Sequence, residues 1–361
     1  MIRRIAAIVG LLVALAATGI VAVAIWPEQA GEGATTTSTG GLLAGARSTS
    51  GDSARLNAGA GIGGGIAPPD IGTAPLPADT RFALRPIDQP LPVRYRFKHP
   101  PIAGVLFDVK SGRILWERHP SLERPIASLT KMMTALMVAR RNRPSEHVMV
   151  SKKAAHTPGS ATGLLPRGER VSLEPLLQAL IMISANDAAV ALAEHDGGTV
   201  TSFVKQMNLQ ARSMGLRCTH FSTPNGLRDR NNYSCPLDLA ELARADLANP
   251  RIAEIAKTRN AKPRFPIKGK HLYLYNNHYF LQQGLPGLPQ ARVTGLKTGF
   301  TDAAGRCYVT TARLAGHQLG VVLLHSPNPL LQVPALLRAG FEAMGVAAHR
   351  PPPAKPKSPA D

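Results

Sequence analysis

Three short groups of residues in this chain could do chemistry together. Ser128-Leu129-Thr130-Lys131 sets a hydroxyl and an amine one helical turn apart, Ser184-Ala185-Asn186 offers a second hydroxyl beside an amide, and Lys297-Thr298-Gly299 offers a cation, a hydroxyl and a residue without a side chain. A serine hydroxyl is a poor nucleophile until a nearby base takes its proton. A lysine can be that base when desolvation and a neighbouring cation keep it neutral, and Lys297 could be the cation. Each group alone has a plainer reading. Ser128 could be a helix N-cap ahead of a solvated lysine, Ser184 and Asn186 a cap and a turn, and 297–299 a plain edge strand, whereas in a site Gly299 would let a ligand backbone approach closely. Their order, their separations of 56 and 113 residues and their contexts point instead to one site.

The elements that must position these groups can be read from periodicity. Leu129, Met132, Met133, Leu136 and Met137 recur at helical spacing and stop before Pro144, which predicts an amphipathic helix with Ser128 at its N-terminus and Lys131 on the same face. Ile102 to Val109 and Arg113 to Glu117 read as a β-hairpin. Further helices are predicted at Leu173 to Ile183, Asp187 to His195, Thr201 to Met214 and Pro236 to Ala248, which leaves Ser184 and Asn186 in a short connection between two helices. Tyr273 to Tyr275, Val293 to Thr298, Arg306 to Arg313 and Gln318 to His325 look like strands, and Leu331 to Met344 like a closing helix. Strands at both ends of a helical middle predict an α+β fold, an antiparallel sheet packed with a helical cluster.

Composition narrows the setting. With 361 residues, 44% hydrophobic, the chain can bury a sizeable core. Three cysteines and no C-x-x-C or H-E-x-x-H run predict neither a metal site nor a cofactor. The net charge of +19 fits nucleic acid, an anionic membrane or an anionic wall polymer. Arg3 and Arg4 before the uncharged run Ile5 to Trp26 decide among these, because that run can cross a bilayer and the positive flank stays inside. The reading is a cytoplasmic N-terminus at 1–4, a transmembrane anchor or cleaved signal at 5–26, a Gly/Ala/Ser/Thr/Pro-rich linker at 27–93, a folded domain at 94–347 and a Pro/Lys-rich tail at 348–361. The body then lies outside the cytoplasm, which argues against nucleic acid. Cys218 and Cys235 could pair there or stay as thiols, and Cys307 reads as a buried thiol. Residues 251–271 carry seven Lys or Arg against Glu254 alone, a solvated face by default, with attraction to anionic lipid or wall polymer as the second reading.

The three groups, in this order, resemble the Ser-x-x-Lys, Ser-x-Asn and Lys-Thr-Gly signatures of penicillin-binding proteins and serine β-lactamases. The phrases PIASLTKMMTAL (125–136), LLQALIMISANDAAVALAEH (176–195), FSTPNGL (221–227) and GLKTGFTDAAGRC (295–307) are similar to those of the D-alanyl-D-alanine carboxypeptidases among them, over about residues 95 to 345. Ala185 departs from the glycine usual in the second motif. Many members of that family continue into a β-rich second domain with a C-terminal anchor, so the resemblance leaves anchoring to the N-terminal segment. It implies a serine β-lactamase/transpeptidase-like fold on a bacterial membrane, with β-lactam antibiotics as inhibitors and peptidoglycan stem peptides ending in D-Ala-D-Ala as substrate.

Residue by residue, the resemblance implies that Ser128 attacks the carbonyl of the penultimate D-alanine, Lys131 takes the proton and Ser184 relays one to the departing D-alanine. Asn186 would hold the peptide amide, Lys297 and Thr298 the terminal carboxylate, and the backbone N–H groups of Ser128 and Phe300 would form an oxyanion hole, each donor worth about 3 kcal/mol. Endopeptidase, transpeptidase and β-lactamase activities use the same signatures, as would a catalytically idle wall-binding protein. The absence of Asp or Glu from Gly197 to Arg228 speaks against the rapid deacylation of a β-lactamase.

Overall fold

The computed structural model describes residues 80–85, 90–227 and 230–346. The segments assigned to a cytoplasmic N-terminus, membrane segment and tail, and most of the linker, lie outside the described residues. Among the described residues no helix is long and apolar enough to cross a membrane.

Five strands form one antiparallel sheet: β1 (Ala103–Asp108), β2 (Ile114–Arg118), β3 (Arg292–Thr301), β4 (Gly305–Leu314) and β5 (His317–Leu324), in the spatial order β2-β1-β5-β4-β3. The fold is therefore the α+β arrangement expected. Every residue of β1 is buried, because the sheet is covered on both faces. Alternation assigns its side chains to two cores. Val105 and Phe107 join the helical cluster, whereas Leu106 packs with Leu319, Val321 and Leu323 of β5 against the closing helix. β4 turns into β5 through Ala315-Gly316, both at positive φ, with Leu314 paired to His317. That is the geometry of a two-residue hairpin loop whose twist matches its strands.

The longer helices are α1 (Lys131–Arg141), α2 (Leu173–Met182), α3 (Asn186–Gly197), α4 (Val200–Ser213), α5 (Pro236–Ala248), α6 (Pro250–Lys257) and α7 (Pro329–Ala343). α7 supplies Val333, Leu336, Leu337 and Phe341 to the core on one face of the sheet, and the other helices build the larger core on the opposite face.

Two expectations change. The stripe from Leu129 predicted a helix with one apolar face. Instead a 3-10 turn, Ala127–Thr130, precedes α1, and α1 is buried on all sides from Lys131 to Val138. The N-cap reading of Ser128 goes with it, since Thr130 holds that position and no side chain caps α1. The basic run 251–271 is not simply a solvated face either. Its first residues lie in α6, where Pro250 occupies the first turn, Asn249 accepts from the N–H of Arg251, and Ile252, Ile255 and Ala256 are buried. Arg251 reaches inward, donating from Nε to Glu174 (2.7 Å) and from Nη1 to the carbonyl of Asn142 (2.8 Å).

Candidate active site

The 3-10 turn carries Ser128 at the foot of α1, and the turn is held by close backbone contacts. Ala127 has φ of 47°, in the left-handed region, so it depends on its surroundings. Thr130 Oγ1 donates to the Ala127 carbonyl (2.8 Å) and accepts from Asn232 Nδ2 (2.8 Å). Gly226, at φ of 72°, passes so near that a Cβ there would lie 1.9 Å from the Ala127 carbonyl oxygen. From the other side comes β3: a Cβ on Gly299 would sit 2.9 Å from the Ile126 carbonyl and 3.0 Å from the Ser128 nitrogen. The glycine of the third motif thus admits the serine's own backbone.

Lys131 is 1% exposed, and its Nζ has three partners: Ser128 Oγ at 2.9 Å, Asn186 Oδ1 at 2.7 Å and the Asn225 carbonyl at 2.7 Å. That set suits a neutral amine. Two N–H bonds satisfy the amide and carbonyl oxygens, and the lone pair is left for the Ser128 proton. Desolvation holds the Lys131 amine well below its ordinary range, and the charge of Lys297 adds to this against a partial offset from Asp187.

Asn186 opens α3. Its Nδ2 donates to the Pro158 carbonyl (2.9 Å), so the side chain ties Lys131 to the 157–163 loop. The neighbouring Asp187 carboxylate accepts from the Thr162 hydroxyl (2.6 Å) and from the Thr162 and Gly163 N–H groups, fixing the same loop. Ser184 takes the left-handed conformation (φ 62°) in the turn between α2 and α3. Its hydroxyl is buried and has no hydrogen-bond partner among the described residues. Ala185, at φ of −60°, needs no glycine, so the departure from the family pattern costs nothing locally.

Lys297 is 3% exposed on β3, and its Nζ donates to the Thr298 carbonyl (2.8 Å). Burial pushes it down to about 7. Thr298 is half-buried, and the Phe300 ring is largely exposed beside them.

The structure brings Ser128, Lys131, Asn186 and Gly299 together directly. It sets Lys297 near enough to Lys131 for their charges to interact. Sequence reasoning assigned no role to the Asn225 carbonyl, to Gly226 or to Asp187. The first is a backbone group with no side-chain signature, although FSTPNGL spans it. Asp187 stood in plain view, one residue beyond the second motif. Cys218 and Cys235 are joined, with Cα atoms 5.6 Å apart, and this bridge closes the segment that contains Asn225 and Gly226. Asp238 nearby accepts from the Cys218 N–H and the Thr219 hydroxyl.

A family model described as D-alanyl-D-alanine carboxypeptidase matches residues 99–328. The chain belongs to that family. The match spans all three signatures, so this family is the D-Ala-D-Ala peptidase branch of the penicillin-binding proteins, within the serine transpeptidase superfamily. The D-alanyl-D-alanine carboxypeptidase DacF of Bacillus subtilis is 30% identical over 236 residues, which is 64% of this chain and 59% of that protein. A D-alanyl-D-alanine endopeptidase of Escherichia coli is 29% identical over 232 residues, 62% of this chain and 70% of that one. The chain thus spans about three fifths of the first of these relatives. Among solved structures, a D-alanyl-D-alanine carboxypeptidase of Mycobacterium tuberculosis aligns with a TM-score of 0.63 at 28% identity, covering 69% of this chain and 94% of that one. A Streptomyces K15 DD-transpeptidase mutant aligns with a TM-score of 0.62 at 25% identity, covering 68% and 100%.

Proposed function

We propose that the chain is a serine D-Ala-D-Ala carboxypeptidase that trims peptidoglycan stem peptides. The observation that carries the reading is the Lys131 amine, stripped of water and set 2.9 Å from Ser128 Oγ with two further acceptors. Ser128 attacks the carbonyl carbon of the penultimate D-alanine as Lys131 takes its proton. The developing oxyanion meets the N–H groups of Ser128 and Phe300. The C–N bond then breaks, and Ser184, whose hydroxyl has no other partner among the described residues, passes a proton to the departing amine of D-alanine. Water cleaves the ester and restores Ser128. Lys297 and Thr298 hold the terminal carboxylate, and Asn186 both fixes Lys131 and faces the peptide amide. A bound carboxylate raises the pKa of Lys297 back up. The charged Lys297 in turn keeps Lys131 neutral, so substrate binding primes the base.

β-Lactams acylate the same serine, and the ester persists because 197–228 holds no acid to activate water. The N-terminal segment holds the domain at the outer face of the bacterial membrane. The endopeptidase relative, which the chain covers over 70% of its length, supports a second reading in which a cross-linked peptide is cut.

Incubation with a pentapeptide ending in D-Ala-D-Ala and, separately, with a cross-linked dimer tests both. Release of free D-alanine from the first is expected, and cleavage of the dimer alone would favour the endopeptidase. Mass spectrometry after penicillin treatment should show one adduct that Ser128→Ala abolishes. An adduct surviving that change would place the site elsewhere.

A further inference from the structure

Residues 272–280 alternate between core and solvent without a break. Leu272, Leu274, Asn276, His278 and Phe280 are buried, while Tyr273, Tyr275, Asn277 and Tyr279 face out. The three tyrosines, half of the six in the chain, are 61%, 66% and 42% exposed. Along extended backbone, alternate residues on one face lie roughly 7 Å apart, which is the spacing of Tyr273 and Tyr275 about the short strand Leu274–Tyr275, and Tyr279 follows at the start of a short helix, Tyr279–Gln283. Cations border it. Lys257, Arg259, Lys262, Arg264, Lys268 and Lys270 are exposed, and the chain has no acidic residue between Glu254 and Asp302. Lys262 Nζ lies 5.0 Å from the centre of the Tyr273 ring. The row also adjoins the site. The Asn277 N–H donates to the Met182 carbonyl, just before the Ser184 turn, and Asn276 Nδ2 donates to the Thr258 carbonyl (3.0 Å) at the end of α6.

We infer that this tyrosine row with its cationic border is a docking surface for the glycan strand of the cell wall, the sugar polymer that carries acidic stem peptides. The inference rests on the proposed function and names where its polymeric substrate lies. Flat rings in a row offer apolar faces to the C–H faces of successive sugars, and the phenol tips stay in water. Lysines and arginines alongside pair with carboxylates on the attached peptides and pull the polymer in. A bilayer is the weaker match. Membrane-seated surfaces bury aliphatic and Phe or Trp side chains, and from 257 to 280 no Leu, Ile, Val, Met or Phe is exposed. A phosphate polymer would use the cations but has no use for three exposed rings.

The test is co-sedimentation of the full chain with purified insoluble peptidoglycan, beside the double variant Tyr273→Ala/Tyr275→Ala. Turnover of a free pentapeptide is measured on the same preparations. The double variant should bind the wall about tenfold more weakly, and phenylalanine at both positions should restore binding. Pentapeptide turnover should not change, since a short substrate does not reach the row. Equal sedimentation of variant and wild type overturns the inference. So does a tyrosine-dependent loss seen only with phosphatidylglycerol vesicles or only with a phosphodiester-linked sugar polymer. If the wild type fails to release D-alanine while tyrosine-dependent wall binding persists, the proposed reaction falls and the docking surface stands.

Discussion

The surroundings of Lys131 beside the 3-10 turn and of Lys297 on the edge strand each bury one lysine, yet they treat it differently. Both withdraw the amine from water, and in both burial is the leading cause of a lowered pKa. Lys131 has three oxygen partners from three separate segments and feels a second cation; Lys297 has one, the carbonyl of the next residue on its own strand. The first arrangement is complete without a ligand and favours a neutral base. The second has no counter-ion among the described residues, and an anion would satisfy it. Burial alone therefore does not define a catalytic lysine. The number and origin of the acceptors around it do.

The sharpest way to break this contrast is to exchange the base for a group that cannot be neutral. Lys131→Arg fixes a charge where the amine is held neutral and loses the lone pair, so penicillin acylation of Ser128 should fall by about 10³–10⁴-fold in stopped-flow or gel assays. A fall of less than tenfold would mean that Lys131 is not the base.

The contrast also depends on the scaffold around Lys131. Gly226→Ala would drive a methyl into the Ala127 carbonyl at a residue with φ of 72°, and Thr130 Oγ1 lies 2.7 Å from the same position. A destabilisation of about 3 kcal/mol or more is expected in urea melts, with acylation lost in whatever fraction still folds. A variant with wild-type stability and acylation would show that the close packing of this turn is dispensable.

Lys297→Arg keeps a cation for the carboxylate and should act mainly on KM, by about tenfold. The pH profile is the finer probe. In the proposed mechanism acylation needs Lys131 neutral and Lys297 charged, so kcat/KM should rise as pH passes the lowered pKa of Lys131 and fall as pH passes about 7, where free Lys297 loses its proton. An arginine at 297 should remove the alkaline fall and leave the acidic limb. Stability supplies an independent sign. Between about 7 and the ordinary lysine value of about 10.4 the unfolded chain holds the Lys297 proton and the folded chain does not, so folding stability from this group rises with pH across that window. The gain in melting temperature of Lys297→Met over wild type should be largest at pH 7 and below, and shrink toward pH 10.

The smallest effect on acylation concerns the bridge behind the Asn225 carbonyl. Replacing Cys218 and Cys235 by serine opens a loop closed at a sequence separation of 17, at an expected cost of about 3 kcal/mol. Acylation at a temperature where the variant is folded should drop only severalfold, because Thr134 Oγ1 still donates to the Pro224 carbonyl (2.6 Å). An unchanged melting temperature would argue that the bridge carries no load.

Much of this molecule is legible in its sequence, and the unread parts have physical reasons. The apolar stripe of α1, the hairpin of β1 and β2 and the strand-rich last third all announce themselves through periodicity, and the three signatures name Ser128, Lys131, Ser184 and Lys297. α6 was hidden because eight residues with three charges look like surface, and only the fold shows Arg251 turned in to Glu174. The burial of α1 on all sides from Lys131 to Val138 was hidden because a helix stripe reports its own faces and not what covers the far one. The acceptor at Asn225 is a backbone atom, and any residue type could supply it. Gly299 was readable as a site of close approach, but not that the approaching backbone belongs to Ser128.

The pairing of β1 with β5 joins Ala103 to Leu324, so the centre of the sheet is sewn from opposite ends of the folded body. Ser128 and Lys131 are synthesised early, whereas β3, which presses on the turn and carries Lys297, comes more than 160 residues later. Before then Lys131 is an ordinary wet amine and Ser128 an ordinary alcohol. Such non-local closure is slow to form. In the proposed mechanism it also means that an emerging chain could not react with a wall peptide or an antibiotic: Ser128 would be armed only when the last hairpin docks, which would make chemical competence a report on complete folding.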